Sequence, residues 1–223
     1  TGRKNAFYRV MDIHVKNRTL ISDYALIGNC RAAALVSNRG SIDWCCLPEF
    51  DSPSIFASIL DREIGGYFLI CPTSHFDSSQ KYITHTNVVE TRFVSKDGEA
   101  ACYDAFVANT EETKADSLFP DHEILRIVEG LKGVLKFKIE YIPRTFYGKH
   151  APALKNKSRF GIYFETKENN YCLLSTLDAD QLVITDGVKV FAEFDIRAGE
   201  RVIFSLSCCN LSPAIIPELQ LTG

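Results

Sequence analysis

Apolar and polar residues alternate with a period of two along most of the chain. The pattern is cleanest over residues 188–196, where Val188, Val190, Ala192, Phe194 and Ile196 fall on one side and Lys189, Glu193 and Asp195 on the other. That is the signature of a half-buried strand. Residues 133–142 repeat it, with Leu135, Phe137, Ile139 and Tyr141 opposed by Lys136, Lys138 and Glu140. Val202, Phe204, Leu206 and Cys208 form a third such face. Less regular strand-like runs occupy residues 33–37, 42–46, 67–71, 88–95, 100–107, 124–129, 160–166, 172–176 and 182–185. Turn-forming groups separate them, among them Asn38-Arg39-Gly40, Lys96-Asp97-Gly98, Glu168-Asn169-Asn170, Asp186-Gly187 and Ala198-Gly199. So many short strands joined by tight turns predict an all-β fold, an antiparallel β-sandwich with little helix. One short helix is expected at residues 53–60, with Ser52 as its N-cap and Pro53 at its first position. Two longer segments, 108–121 and 144–159, carry no clear period. The second is basic, with Arg144, Lys149, Lys155, Lys157 and Arg159 around His150. A solvated loop is its plainer reading and a ligand-facing loop the alternative.

Composition narrows this picture. A chain of 223 residues with 46% apolar and 24% charged residues has the balance of a folded soluble domain. Its formal charge of −3 gives no reason to seek phosphate backbones or anionic lipid, so neither nucleic acid nor membrane is an expected partner. No apolar run approaches the ~20 residues that span a bilayer, and no signal segment opens the chain, so a cytoplasmic location is expected. Met11 is the single methionine. It is read as the native start, with residues 1–10 a non-native leader and residues 11–223 one domain. The eight cysteines make two adjacent pairs and four singletons without a C-x-x-C. Neighbours on a strand point to opposite faces, so buried, reduced thiols are expected and a metal site is not.

No nucleophile elbow, zinc-binding His pair, phosphate loop or dinucleotide fingerprint occurs. His14, His75, His85, His122 and His150 lack metal-ligand spacing. Glu111-Glu112 reads as a solvated pair, because neighbours in sequence rarely face each other across a substrate. No catalytic residue and no cofactor is therefore assigned.

Residues 21–56 are more specific. The string runs Asp23-Tyr24-Ala25-Leu26-Ile27-Gly28-Asn29-Cys30-Arg31, then Gly40-Ser41-Ile42-Asp43-Trp44, then Cys46-Leu47-Pro48, and closes on Phe50-Asp51-Ser52-Pro53. Val89-Glu90-Thr91-Arg92-Phe93, Leu125-Arg126-Ile127-Val128-Glu129-Gly130 and Ala198-Gly199-Glu200-Arg201-Val202 continue the cadence. Together these resemble the amino-terminal domain of family 15 glycoside hydrolases, the glucoamylase and trehalase group. The resemblance implies a supersandwich-like domain that packs on an (α/α)6 barrel, in an enzyme hydrolysing α-glucosidic bonds with inversion. Both catalytic glutamates of such enzymes lie in the barrel, so this chain alone is expected to be inactive. Arg31, Asp43, Trp44, Phe50 and Asp51 become candidate substrate-binding or barrel-interface residues, with an α-glucoside or oligosaccharide as possible ligand. Arg31 and Asp43 are charges set in apolar strands and need partners or a polar cleft. A buried Arg31–carboxylate pair is the preferred account. Trp44 also reads as a core aromatic, and Asp51 with Ser52 as the entry to the short helix. A stand-alone carbohydrate-binding module, or a docking subunit for a separately encoded barrel, is the alternative function.

Overall fold

The computed structural model describes residues 19–108 and 122–210. The expectations for the leader, Met11, His14, Glu111-Glu112 and nearly all of segment 108–121 lie outside them. Within them run β1 (Tyr24–Gly28), β2 (Ala33–Ser37), β3 (Ser41–Cys46), β4 (Ser54–Phe56), β5 (Tyr67–Pro72), β6 (Asp77–Tyr82), β7 (Val89–Ser95) and β8 (Gly98–Phe106). There follow β9 (His122–Ile142), β10 (Lys155–Asn156), β11 (Ile162–Glu165), β12 (Asn169–Ser175), β13 (Val183–Thr185), β14 (Lys189–Arg197) and β15 (Arg201–Asn210). Every named strand pair is antiparallel. The first sheet has the order β1-β2-β3-β5-β9-β14-β13, with β4 paired to β3. The second has the order β6-β7-β8-β9-β15-β12-β11-β10. The all-β sandwich expected from the alternation is the fold observed.

The two sheets share β9. Its amino half pairs with β8 and β15, and its carboxyl half with β5 and β14. The alternation read this strand as two runs, 124–129 and 133–142, with Gly130 and Gly133 at the break. In the folded chain they are the point where one strand passes between sheets. A Cβ on Gly130 would lie 2.1 Å from the Arg197 carbonyl oxygen, and Gly133 has φ +69 with the Asp97 carbonyl oxygen 2.3 Å from where its Cβ would be. Only glycine permits so close a backbone approach.

The clean alternating faces are largely buried as expected, except that Val188, in the turn before β14, and Val202 are only half-buried. Leu135, Phe137, Ile139 and Tyr141 line the core from β9, and Val190, Ala192, Phe194 and Ile196 from β14. Rings meet across the sandwich: Phe68 of β5 lies 6.2 Å from Phe204 of β15, and Phe93 of β7 lies 5.8 Å from Phe137. None of the eight cysteines is in a disulfide. Six are buried, Cys209 is half-buried, and Cys30 is exposed in the β1–β2 turn.

Two expectations are corrected. Residues 53–60 form no helix; β4 occupies Ser54–Phe56, and the described helical residues are three short 3-10 turns, Ile21–Asp23, Ser158–Phe160 and Ala179–Gln181. Ile55, Phe56 and Ala57 are consecutive and all buried. An amphipathic helix would have to expose one of them, whereas a strand inside the fold buries both faces. The Ser52 hydroxyl accepts from the Glu49 amide at 3.1 Å, closing a turn instead of capping a helix. Arg31 is exposed, not buried. The fully buried arginine is Arg126 of β9. Its guanidinium donates to Asp104 Oδ1 at 2.7 Å within the second sheet, and to the carbonyls of Phe68 in β5 at 2.5 Å and of Gly40 in the β2–β3 turn at 2.8 Å on the first. Arg126 therefore ties one sheet to the backbone of the other through charge-assisted bonds.

Removing one member of this pair leaves a buried charge without its partner. Arg126→Met should destabilise the chain by about 3–5 kcal/mol in urea unfolding, and pairing it with Asp104→Leu should recover much of the loss. An Arg126→Met midpoint close to that of the parent would show that the tie between the sheets contributes little.

Candidate functional site

The motif residues gather on the outer face of the first sheet. Ala25, Ile27, Ala34 and Val36 point into the core, so Leu26 and Leu35 point away from it, and Trp44 sits opposite Leu35 in register. Leu26, Leu35 and Trp44 thus form a row across three strands. Phe50 extends it, its ring meeting that of Trp44 edge-on at 5.5 Å. Leu26 is 53% and Phe50 62% exposed. Trp44 is half-buried and outside the core cluster, so it is not the core aromatic of the first reading. The Phe50 amide donates to the Arg31 carbonyl at 2.8 Å, so the turns carrying these two residues adjoin. Asp51 is exposed next to Phe50. Of the five candidates, Trp44 and Phe50 belong to this apolar row, and Arg31 and Asp51 flank it.

Asp43 belongs to a separate, polar groove of about 990 Å³ on the same face. An irregularity where β2 meets β3 accompanies its placement beside Ser41. Its carboxylate accepts from the hydroxyls of Tyr24 at 2.6 Å, Ser41 at 2.5 Å and Ser58 at 2.9 Å. Opposite, Glu140 of β9 accepts from the Tyr67 hydroxyl at 2.6 Å and the Lys138 ammonium at 2.7 Å. Burial first, then the bonded carboxylate, raises the phenols of Tyr24 and Tyr67 well above the ordinary tyrosine range, so both remain proton donors. Asp23, Asp43 and Glu140 are balanced by Arg39, Arg62 and Lys138 around the groove. It is suited to a neutral, hydroxyl-bearing surface more than to an ion. Each carboxylate accepts from two or three donors, an arrangement of acceptors and not of a proton donor facing a base.

Of these residues the sequence pattern singled out only Asp43. Lys138 and Glu140 lie on the polar side of a clean alternating strand, which reads as solvated, and Tyr67 and Ser58 carry no pattern. The signal that marked Asp43, a charge inside an apolar strand, would also have marked Arg126 in β9 and Asp104 in β8.

A second concavity, of about 870 Å³, lies at another end of the sandwich. Pro53 and Tyr171 border it, with Phe146 and His150 from one loop and residues 165–169 from the β11–β12 turn. Phe146 and Tyr147 are consecutive left-handed residues, φ +56 and +58, followed by Gly148 at +86. For a residue with a Cβ this conformation costs about 1–2 kcal/mol, and it is an outlier for a bulky side chain. The backbone is held in place by Ser54, whose carbonyl accepts from Phe146 N at 3.0 Å and whose hydroxyl accepts from Tyr147 N at 2.8 Å. Among the described residues no His/Cys/Asp/Glu group could hold a metal ion.

Fold and face together define an antiparallel β-sandwich domain with a polar groove beside an apolar row. Over residues 9–218 the chain matches the family described as trehalase-like, N-terminal, and it belongs to that family. It is 36% identical over 161 residues to the trehalase of Thermoplasma volcanium, a match covering 71% of this chain and 25% of that protein. The trehalase of Thermoplasma acidophilum is 35% identical over 165 residues, covering 73% and 27%. Trehalase 1 of Sulfolobus acidocaldarius is 32% identical over 158 residues, covering 70% and 25%. The chain thus spans about a quarter of the relatives it matches. No helix among the described residues is long and apolar enough to cross a membrane.

The raised phenols carry a pH dependence. An ordinary tyrosine titrates near pH 10, as these do once unfolded. The folded state holds both protons more tightly, so their contribution to stability is fully present below about pH 10 and is lost as pH climbs further. Chemical unfolding should give a stability that falls above about pH 10, and less steeply in a Tyr24→Phe/Tyr67→Phe variant. An identical alkaline slope in that variant would place the effect elsewhere.

Proposed function

We propose that this chain is the non-catalytic amino-terminal β-sandwich domain of a family 15 glycoside hydrolase. The enzyme acts on α-glucosidic bonds with inversion, trehalose being a candidate substrate. Residues 11–223 serve as one domain that packs on and supports an (α/α)6 barrel outside this chain. One observation carries this reading: the chain belongs to the trehalase-like, N-terminal family and spans only about a quarter of the trehalases it matches. Inverting hydrolysis needs a protonated carboxyl over the leaving oxygen and a second carboxylate holding water, about 6.5–9.5 Å apart. Asp43 and Glu140 are both engaged as acceptors, which favours an inactive chain with the acid and base elsewhere.

The apolar row ending on Phe50 is our choice for the barrel-facing surface. Exposed aliphatic and aromatic side chains flanked by Arg31 and Asp51 have the make-up of an interface core with a polar rim. Trp44 forms part of that surface, and Asp43 supports it by fixing the hydroxyls of the adjoining groove. A cytoplasmic setting agrees with eight cysteines outside any disulfide, since thiols persist where glutathione keeps cysteines reduced.

Reading the gene past codon 223 tests the proposal most directly. Continuation into a helical barrel with two well-separated glutamates is expected, and a stop codon would defeat the single-chain form of the proposal. The isolated chain should release no glucose from trehalose, maltose or soluble starch. Phe50→Ala should cost it far less than the ~3–5 kcal/mol of a core phenylalanine while weakening attachment to the barrel. A core-sized loss in the isolated chain would remove Phe50 from the interface.

A further inference from the structure

The loop from Arg144 to His150 is held in a conformation that its own side chains disfavour. Thr145 and His150 exchange backbone hydrogen bonds at 2.9 and 3.2 Å, closing a tight turn over Phe146, Tyr147, Gly148 and Lys149. Turns with two successive positive φ angles are ordinarily built from Asn and Gly, which tolerate them. Here those positions carry phenylalanine and tyrosine. Burial does not explain Phe146, which is 43% exposed, whereas the Tyr147 hydroxyl is engaged with the Cys46 thiol. The Phe146 ring meets only the edge of His150, at 5.4 Å, among the recorded ring contacts. Strain kept at a surface position by a fully bonded backbone is characteristic of side chains presented to a ligand.

Phe146 and His150 line the second concavity, whose volume of about 870 Å³ is of the size that holds small molecules. Its far wall is the β11–β12 turn, offering Glu165, Lys167, Glu168 and Asn169. Two carboxylates against one ammonium give no basic cluster for an anion. They are too few, and too exposed, to make a cation cage. An aromatic face opposite amide, carboxylate and ammonium groups matches a molecule with one apolar face and a rim of hydroxyls. We propose that this concavity is a secondary, non-catalytic binding site for a neutral hexopyranoside, which stacks on Phe146 and hydrogen-bonds to the β11–β12 turn. The choice of glucose as the sugar rests on the function proposed above, whereas the pyranoside class rests on the cavity.

Amide NMR of the isotopically labelled chain, titrated with maltose, trehalose and the open-chain polyol sorbitol, tests this. The two cyclic sugars should shift resonances of residues 146–150 and 165–169 with millimolar affinity, and sorbitol should not. Phe146→Gly should weaken binding by roughly tenfold or more. Its melting temperature should be unchanged or higher, since glycine adopts the left-handed conformation freely. Phe146→Leu keeps the backbone burden and an apolar side chain but lacks the flat ring, so it should lose binding with no change in melting temperature. Binding retained by Phe146→Gly, equal response to sorbitol, shifts confined to other residues, or no shifts at all would overturn the site. So would a sharp fall in melting temperature in both variants, which would make the ring a packing element. None of these results depends on whether a barrel follows, so the site and the function proposed above fail separately.

Discussion

A guanidinium with no access to water is stable only where its nitrogens find acceptors, and each of the three nitrogens of Arg126 does so, two of them by reaching across the sandwich. Asp104 supplies the counter-charge from the neighbouring strand, while the carbonyls of Phe68 in β5 and Gly40 in the β2–β3 turn accept from the two terminal nitrogens. The geometry leaves little freedom. The Gly40 and Phe68 carbonyls must stand at fixed positions relative to β9, so the spacing and offset of the sheets are set where Arg126 is satisfied. Packing alone would tolerate a range of offsets, because apolar contacts are non-directional. The rings of Phe68, Phe204, Phe93 and Phe137 then fill a space whose shape the polar tie has defined. Phe68 takes part in both, its ring lying under the guanidinium at 4.7 Å.

With the interior so constrained, the outer surfaces are free to differ. The first sheet turns a polar groove and an apolar row outward, side by side. The groove is rigid because each carboxylate is fixed by hydroxyls from other strands or loops, Tyr24 from β1 and Ser58 from the segment after β4 among them. Leu26, Leu35 and Trp44 face away from the core because they occupy the outward positions of β1, β2 and β3, and Phe50 extends the row from the turn after β3. At another end Ser54 holds the Arg144–His150 loop open. β4 thus has two tasks, closing the core through Ile55 and Phe56 and bracing a surface loop through Ser54.

The fold was legible because alternation is a direct consequence of the pleat. Val190, Ala192, Phe194 and Ile196 could be placed inward from sequence, and burial agrees. Three features escaped for physical reasons. Gly130 and Gly133 signal a chain that bends, and sequence does not distinguish a turn from a strand crossing between sheets. Ile55, Phe56 and Ala57 lack any period, so a buried strand and a helix start look alike, and Pro53 tipped the reading towards helix. Arg31 was given the buried role that belongs to Arg126, since which of two arginines lies inside depends on what the fold brings opposite. The candidate site was half legible: Asp43, Trp44 and Phe50 stand out in the motif, whereas Glu140 and Tyr67 join Asp43 only through strands distant in sequence.

The shared strand has a consequence for how the chain is made. β5 and β8 precede β9, but β14 and β15 follow it, and the first residue of β14, Lys189, comes some fifty residues after Ile142. At synthesis rates of about 5–20 residues per second, that interval lasts a few seconds. Throughout it, one edge of β9 in each sheet stays open, and the aromatic side chains that β14 and β15 will cover remain without a lid. Open edges of this kind invite pairing with neighbouring chains. The ribosome therefore carries a half-built sandwich until residues near 210 emerge, and any downstream domain begins synthesis just as its amino-terminal neighbour first becomes able to close.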